Sequence, residues 1–297
     1  MKISRREFLK WSVATAVALE LEFDMGRVNT VLAAETDPPV IWLQGAGCSG
    51  CTISMLNVTN PTTIDDVLLN KISMKYNSTI MTSAGESAMQ ALENAATQYN
   101  GQFILVVEGA IPTGQSGNYC IIGEQNGTQL TMQQAVLKYG PMAKYVVSAG
   151  TCSSFGGVPA AAPNATSCTT AKSLLSGKTK NPVVNLPGCP VHPTVLIQTL
   201  LDIILTGTPT LDSYSRPTKY YASSVHSKCP REEAPDANRP GIYGCYESIG
   251  CMGPTCKNVC PSMKWNNGQG WCIGVNYPCV GCANPTFPTN PLLSYRD

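Results

Sequence analysis

The stretch Val40-Ile-Trp-Leu-Gln-Gly-Ala-Gly-Cys48-Ser-Gly-Cys51 joins four large apolar residues to a glycine-rich loop carrying two cysteines. An apolar run this short, stopped by glycine, reads as a buried strand. The arrangement recurs twice. Tyr145-Val-Val147 leads into Gly150-Thr-Cys152-Ser-Ser-Phe-Gly-Gly157, and Val183-Val184 leads into Pro187-Gly-Cys189-Pro190. Phe103-Ile-Leu-Val-Val107 is a continuous β-rich run, and residues 71–81 read as a further strand. Apolar residues three to four apart predict helices over 84–99 and 132–139. A proline in the first turn opens another over 193–206. This alternation predicts an α/β chain whose parallel sheet is covered by helices.

The four cysteines Cys48, Cys51, Cys152 and Cys189 then fall just past the carboxyl ends of three parallel strands, the edge where open α/β sheets bind ligands. The glycines around them let backbone approach closely and aim amides at sulfur. Four thiolates at one place suit zinc or a cubane iron–sulfur cluster. Structural zinc usually takes two short Cys-x-x-Cys knuckles. One such pair followed by two single cysteines on glycine-rich loops favours the cluster. A nucleotide-binding loop is the weaker alternative, because GAGCSG lacks the full glycine fingerprint and the lysine of a phosphate loop.

Charged residues make up 13% of the 297-residue chain, against roughly 25% in an ordinary soluble domain, so much of the surface is expected to be covered. A net charge of +1 gives no ground for a nucleic-acid partner. At the N-terminus, Ser4-Arg5-Arg6-Glu7-Phe8-Leu9-Lys10 precedes an apolar run, the pattern of a twin-arginine export signal. Cleavage is expected after Ala33 or Ala34, which leaves residues 1–34 out of the fold. No later apolar run reaches the ~18 residues of a membrane span; the longest candidate, 195–205, is interrupted by Gln198 and Asp202. Export and 14 cysteines would ordinarily imply disulfides. The twin-arginine route carries folded, cofactor-loaded proteins, so the thiols stay available as metal ligands.

After Leu211 the alternation stops. Residues 212–297 are rich in Pro, Gly, Asn, Ser and Cys, and a segment with so little periodic apolar sequence needs bound metal to hold it together. His226-Ser-Lys-Cys229, Cys245 and Cys251 make one set of one histidine and three cysteines. Cys260, Cys272, Cys279 and Cys282 make another. Twelve ligands thus fill three four-ligand sites. Cys120 and Cys168 read as small buried residues. Cys256 lies so near Cys251 and Cys260 that it competes for a ligand position. His192 reads as a hydrogen-bond donor beside the first site. An exported zinc- or disulfide-stabilised binding protein is the rival reading, with a cytosolic sensor-type homologue as a second.

Taken together, SRREFLK, GAGCSGC, VEGAIPT (Val107–Thr113), GTCSSFGG, NLPGCP, HSKC, GCMGP and PCVGC resemble the small subunit of nickel–iron hydrogenases over nearly the whole chain. The resemblance implies a flavodoxin-like domain over 35–210, followed by an irregular, cysteine-rich iron–sulfur domain over 211–297. It implies a proximal 4Fe–4S cluster on Cys48, Cys51, Cys152 and Cys189, and a distal one on His226, Cys229, Cys245 and Cys251. A medial cluster on Cys260, Cys272, Cys279 and Cys282 lies between them. Most of the family has proline where this chain has Cys272 and a 3Fe–4S medial cluster. Cys272 therefore makes the chain more similar to the nickel–iron–selenium branch, whose medial cluster is 4Fe–4S, with 3Fe–4S as the alternative. The implied partners are a large subunit bearing the nickel–iron site and a cytochrome or membrane electron acceptor. The implied location is the periplasm or the outer face of the cytoplasmic membrane. Glu86 and Glu108 are expected near the cluster-bearing edge, either carrying protons or ordering the interface with the large subunit.

Overall fold

The computed structural model describes residues 37–288; the expected export signal lies outside them. Nine strands follow in chain order: β1 (Pro39–Gln44), β2 (Ser73–Asn77), β3 (Ile104–Glu108), β4 (Ile111–Pro112), β5 (Ile121–Gln125), β6 (Thr128–Thr131), β7 (Tyr145–Ala149), β8 (Cys168–Thr169) and β9 (Val184–Leu186). The main sheet has the order β2-β1-β3-β7-β9, with every neighbouring pair parallel. Counted among its own five members this is 2-1-3-4-5, the flavodoxin-like doubly wound order. The helices are α1 (Gly50–Leu56), α2 (Ile64–Asn70), α3 (Gly85–Gln98), α4 (Met132–Tyr139), α5 (Gly150–Phe155), α6 (Ala171–Leu174), α7 (Pro193–Thr206), α8 (Thr218–Tyr221) and α9 (Cys260–Met263).

The continuous apolar runs are explained by burial on both faces. Val40 and Trp42 of β1, with Ile104 and Val106 of β3, enter one core with α7. Ile41, Leu43, Leu105 and Val107 enter the other, with α3 and α4. Helix α7 is buried nearly all round. Leu196, Ile197 and Leu200 are each 1% exposed or less, and each contributes about 1.5–3 kcal/mol by leaving water. The two polar residues that interrupt its apolar run are both engaged: Gln198 accepts from Tyr220 Oη at 2.8 Å, and Asp202 pairs with Lys219 Nζ at 2.9 Å. No helix among the described residues is long and apolar enough to cross a membrane.

The expected strand over 71–81 is shorter, ending at Asn77. There the Asn77 side chain accepts the Thr79 amide at 2.9 Å, so the local side-chain bond turns the chain out of the sheet. The hairpin of β5 and β6 is an addition to the expected elements. Its turn is Asn126-Gly127, both at positive φ, the usual requirement of a two-residue hairpin. Beyond Leu211 regular structure is sparse. That segment nevertheless has a small core in which Cys251, Cys256 and Cys279 are buried with Tyr246, Ile249, Trp271 and Ile273. Tyr220, Tyr221 and Val259 instead join the first sheet core, docking the segment onto the sheet.

Candidate metal centres

The carboxyl ends of β1, β7 and β9 deliver the first set. Cys48 and Cys51 sit at the start of α1, Cys152 in the first turn of α5, and Cys189 after β9. They lie within electrostatic reach of one another: Cys51 of Cys152 and Cys189, and Cys152 of Cys189 and Cys48. Close approach here requires glycine. Gly150 has φ +83, and a Cβ on it would stand 2.4 Å from Cys51 Sγ. The residue between the cysteine-bearing edges is Glu108, at the end of β3 and 2% exposed. Its carboxylate accepts the amides of Cys51 (2.8 Å) and Thr52 (3.1 Å), Thr52 Oγ1 (2.5 Å) and Trp42 Nε1 (2.8 Å). It therefore binds the free amides at the start of α1 and fixes the Cys48–Cys51 loop onto the sheet. Glu86 is exposed and accepts the Asn126 amide at 3.2 Å.

The second set gathers around Cys245, whose charge acts on Cys229 and Cys251. A ring nitrogen of His226, Cys245 Sγ and a Glu247 oxygen lie within 4.8 Å of one another. His226 Nε2 also faces Glu247 at 3.7 Å and Glu232 at 3.9 Å. Neither glutamate stands out in the sequence. In the third set Cys282 feels Cys260, Cys279 and Cys272, and Cys260 feels Cys279 and Cys272. Cys272 thus lies within reach of the other three cysteines of this set. Cys256, 1% exposed, packs in the same small core as Cys279, its thiol within hydrogen-bonding reach of the Cys279 thiol. Cys168 is buried and Cys120 half-buried, apart from the three sets but within electrostatic reach of each other.

The sets are joined by backbone. The Cys279 amide donates to Cys251 Sγ at 3.3 Å, and the Met252 amide to the Cys279 carbonyl at 2.8 Å, tying third set to second. The backbone of Cys189 lies near the Cys282 sulfur, bringing first and third together. Thr151 reinforces that junction: its hydroxyl donates to the Cys282 carbonyl and accepts the Gly188 amide at 2.8 Å. Amides also reach sulfur within the sets, from Gly253 to Cys251 (3.4 Å) and from Gly281 to Cys279 (3.4 Å). At the first set the amides come from Val191 and Val158 rather than from glycines. His192 does not approach sulfur. Its Nδ1 accepts the Thr194 amide at the start of α7, which leaves Nε2 to donate to the Lys264 carbonyl, while the ring packs on Trp265.

The donor chemistry fits metal–sulfur clusters. Burial, followed by neighbouring thiol charges, pushes Cys152 up to about 11. Burial likewise raises Cys251 to about 11 and Cys260 to about 12. Thiols so held are protonated at neutral pH unless a cationic centre binds them. The spacing bears on which centre. Around one tetrahedral zinc, bonds of about 2.3 Å keep sulfurs about 3.8 Å apart. Among the described residues no three cysteine sulfurs come within 4.8 Å of one another. All fourteen cysteines are free thiols. The thiols are therefore not drawn up around one small ion, and the set of donors suits iron–sulfur clusters.

A doubly wound sheet with thiols gathered at its carboxyl edge and continued into a cysteine-rich extension defines an α/β oxidoreductase subunit. Comparison with known proteins makes this specific. The family described as NADH ubiquinone oxidoreductase, 20 Kd subunit, matches residues 48–203, and the family described as the C-terminal part of the NiFe/NiFeSe hydrogenase small subunit matches 221–293. The Periplasmic [NiFeSe] hydrogenase small subunit of Desulfomicrobium baculatum is 36% identical over 310 residues, covering 97% of each chain. The Periplasmic [NiFe] hydrogenase small subunit 1 of Nitratidesulfovibrio vulgaris is 36% identical, covering 96% of this chain and 90% of that one. A solved [NiFeSe] hydrogenase chain from D. baculatum superposes with a TM-score of 0.82 over 88% of this chain and 100% of its own, at 36% identity. One from Desulfovibrio vulgaris Hildenborough gives 0.80 over 86% and 96%, at 38% identity. The chain belongs to the family of nickel–iron and nickel–iron–selenium hydrogenase small subunits.

Proposed function

We propose that this chain relays electrons between a nickel–iron(–selenium) site in a large subunit and an external acceptor during reversible dihydrogen oxidation, as the small subunit of an uptake-type enzyme. Three iron–sulfur clusters, each taking up or releasing one electron at a time, supply the redox chemistry. The residues that hold them are Cys48, Cys51, Cys152 and Cys189 (proximal), Cys260, Cys272, Cys279 and Cys282 (medial), and His226, Cys229, Cys245 and Cys251 (distal). The observation that carries this reading is the serial joining of the three sets. Thr151 bonds the Cys282 carbonyl and the Gly188 amide beside Cys189, and the Cys279 amide bonds Cys251 Sγ, so each ligand set abuts the next. Cys272 gives the medial set a fourth thiol and so favours 4Fe–4S over 3Fe–4S there.

The protein's own groups do three things in this scheme. Glu108 anchors the proximal loop through four hydrogen bonds. Thr151 locks the proximal and medial loops together. Amides from Gly253, Gly281 and Arg231 stabilise charge on the sulfurs of the distal and medial sets. The proximal edge is proposed to bury against the large subunit. In support, Cys48 and Cys189 are exposed and Ile53, beside Cys51, is 48% exposed. Division at about residue 210 would leave a sheet domain holding the proximal cluster and an extension holding the other two. Export by the twin-arginine pathway to the periplasm agrees with the leader pattern and with relatives named as periplasmic. The acceptor is proposed to be a cytochrome or a membrane carrier. Iron and acid-labile sulfide in the anaerobically purified complex test the proposal: about twelve iron atoms in the small subunit for three cubanes, against zinc or no metal if it is wrong.

A further inference from the structure

Arg231 is 7% exposed, in the turn that follows Cys229. Its guanidinium is enclosed. The Tyr243 ring lies 4.7 Å from Cζ and the Tyr246 ring 5.6 Å. Nη2 donates to Asn276 Oδ1 at 2.7 Å, and Nη1 to Tyr246 Oη at 3.4 Å. Every one of these partners is neutral. Among the described residues no carboxylate comes within ion-pair distance of Arg231, while the other buried arginine, Arg216, is bridged to Asp212 at 2.8 Å. Glu232, next in the chain, and Glu247, next but one to Cys245, instead face His226. A buried cation without a counter-charge is costly, and a fold that builds a cage for one implies a negative group outside the amino-acid side chains.

The cage itself shows where that group sits. The Arg231 amide donates to Cys229 Sγ at 3.4 Å. Tyr246 follows Cys245, and the Cys251 amide donates to the Tyr246 carbonyl at 3.0 Å. Asn276 ends the short turn opened by Cys272, whose carbonyl accepts the Tyr277 amide at 2.9 Å. Three distal ligands therefore adjoin the cage directly, and one medial ligand adjoins it through Asn276. We propose that Arg231 is the fixed counter-charge of the distal centre, raising its reduction potential and so favouring electron delivery to the outer end of the relay. This rests on the reading that His226, Cys229, Cys245 and Cys251 hold a cluster. Reduction adds one electron to that centre while the guanidinium keeps its proton, so the attraction between them grows by one unit of charge. Dihydrogen oxidation supplies the electron.

The experiment is a potentiometric titration followed by electron paramagnetic resonance on the intact two-subunit complex, with Arg231→Gln, Arg231→Met and Arg231→Lys. The neutral variants are expected to weaken the distal reduction equilibrium by at least tenfold, 59 mV for a one-electron couple. The proximal centre should not move, the medial centre should move less than the distal, and iron content should be unchanged. Lysine loses the planar fork but keeps the charge, so Arg231→Lys should stay near wild type; a merely structural role would be lost in all three variants alike. A distal midpoint unchanged in Arg231→Gln or Arg231→Met, with full iron content, overturns the counter-charge assignment. So does a distal midpoint that falls as far in Arg231→Lys as in the neutral variants. Absence of any distal signal from the wild-type complex overturns the underlying cluster assignment instead.

Discussion

Replacing Glu108 with glutamine tests whether this carboxylate holds the proximal loop in place or moves protons. The two carboxylate oxygens divide four donors: Oε1 takes the amides of Cys51 and Thr52, and Oε2 takes Trp42 Nε1 and Thr52 Oγ1. An amide keeps one oxygen and puts an NH2 in place of the other. Whichever way it is turned, two of the four bonds to a charged oxygen are lost in a site that is 2% exposed: either both amides lose their acceptor, or Trp42 Nε1 loses its acceptor and Thr52 Oγ1 must turn from donor to acceptor. Hydrogen bonds to a charged group contribute about 1.5–3 kcal/mol each, so the loss is about 3–6 kcal/mol. At about 2–4 °C per kcal/mol for a chain of this size, the melting temperature should fall by at least 6 °C. The assay is thermal unfolding of the intact complex by circular dichroism, with the pH profile of dihydrogen oxidation measured alongside. Anchoring predicts a lower melting temperature and an unshifted pH profile in the enzyme that remains folded. An unchanged melting temperature with a collapsed turnover or a displaced pH profile would refute the reasoning and make Glu108 a proton carrier.

Three other substitutions probe separate links. Cys272→Pro removes one of the four medial thiols and should convert that centre to a three-iron type, seen as a loss of about one iron in twelve and a new oxidised-state paramagnetic signal; an unchanged medial signal would show that Cys256 or another group supplies the ligand. Gly150→Ala forces a left-handed backbone and places a methyl 2.4 Å from Cys51 Sγ, so the proximal centre should fail to assemble, with about four fewer irons by metal analysis. His192 is held neutral, its pKa lowered by burial. With the folded value below the unfolded value of about 6.5, the folded protein binds fewer protons, and His192 costs stability as pH falls through that range. His192→Asn retains a helix-capping acceptor and should flatten the slope of melting temperature against pH between about 7 and 5; a slope equal to wild type would assign the acid sensitivity to other groups.

What the sequence reveals follows from how local the signals are. The apolar runs of β1, β3 and β7 are unambiguous because a parallel sheet buries both faces, and the bounds of α4 and α7 match expectation because their starts carry Thr131 and His192–Pro193 as caps. Helices α1 and α2 are hidden in the sequence. The first begins inside the cysteine loop, where glycine and serine mask its pattern and Glu108, far along the chain, supplies what its start needs. The β5–β6 hairpin carries one local sign, Asn126-Gly127; its strands are largely exposed, so no apolar run announces them. At the centres, the proposed grouping of the cysteines rests on spacing, since sets two and three are local and set one follows strand ends. It cannot reveal Thr151, Arg231 or Glu247, whose roles exist only once distant loops meet. The same limit applies to Cys256 and Cys272: spacing leaves either as a ligand, and the structure distinguishes them by burial, Cys256 being buried and Cys272 exposed.

The most direct measurement is an anomalous difference map, collected at the iron absorption edge, from crystals of the intact complex. Three compact iron peaks are expected, each bounded by one of the three four-ligand sets, with Cys272 rather than Cys256 closing the middle one. Signal at the zinc edge instead, or iron absent from any of the three sets, would contradict the account.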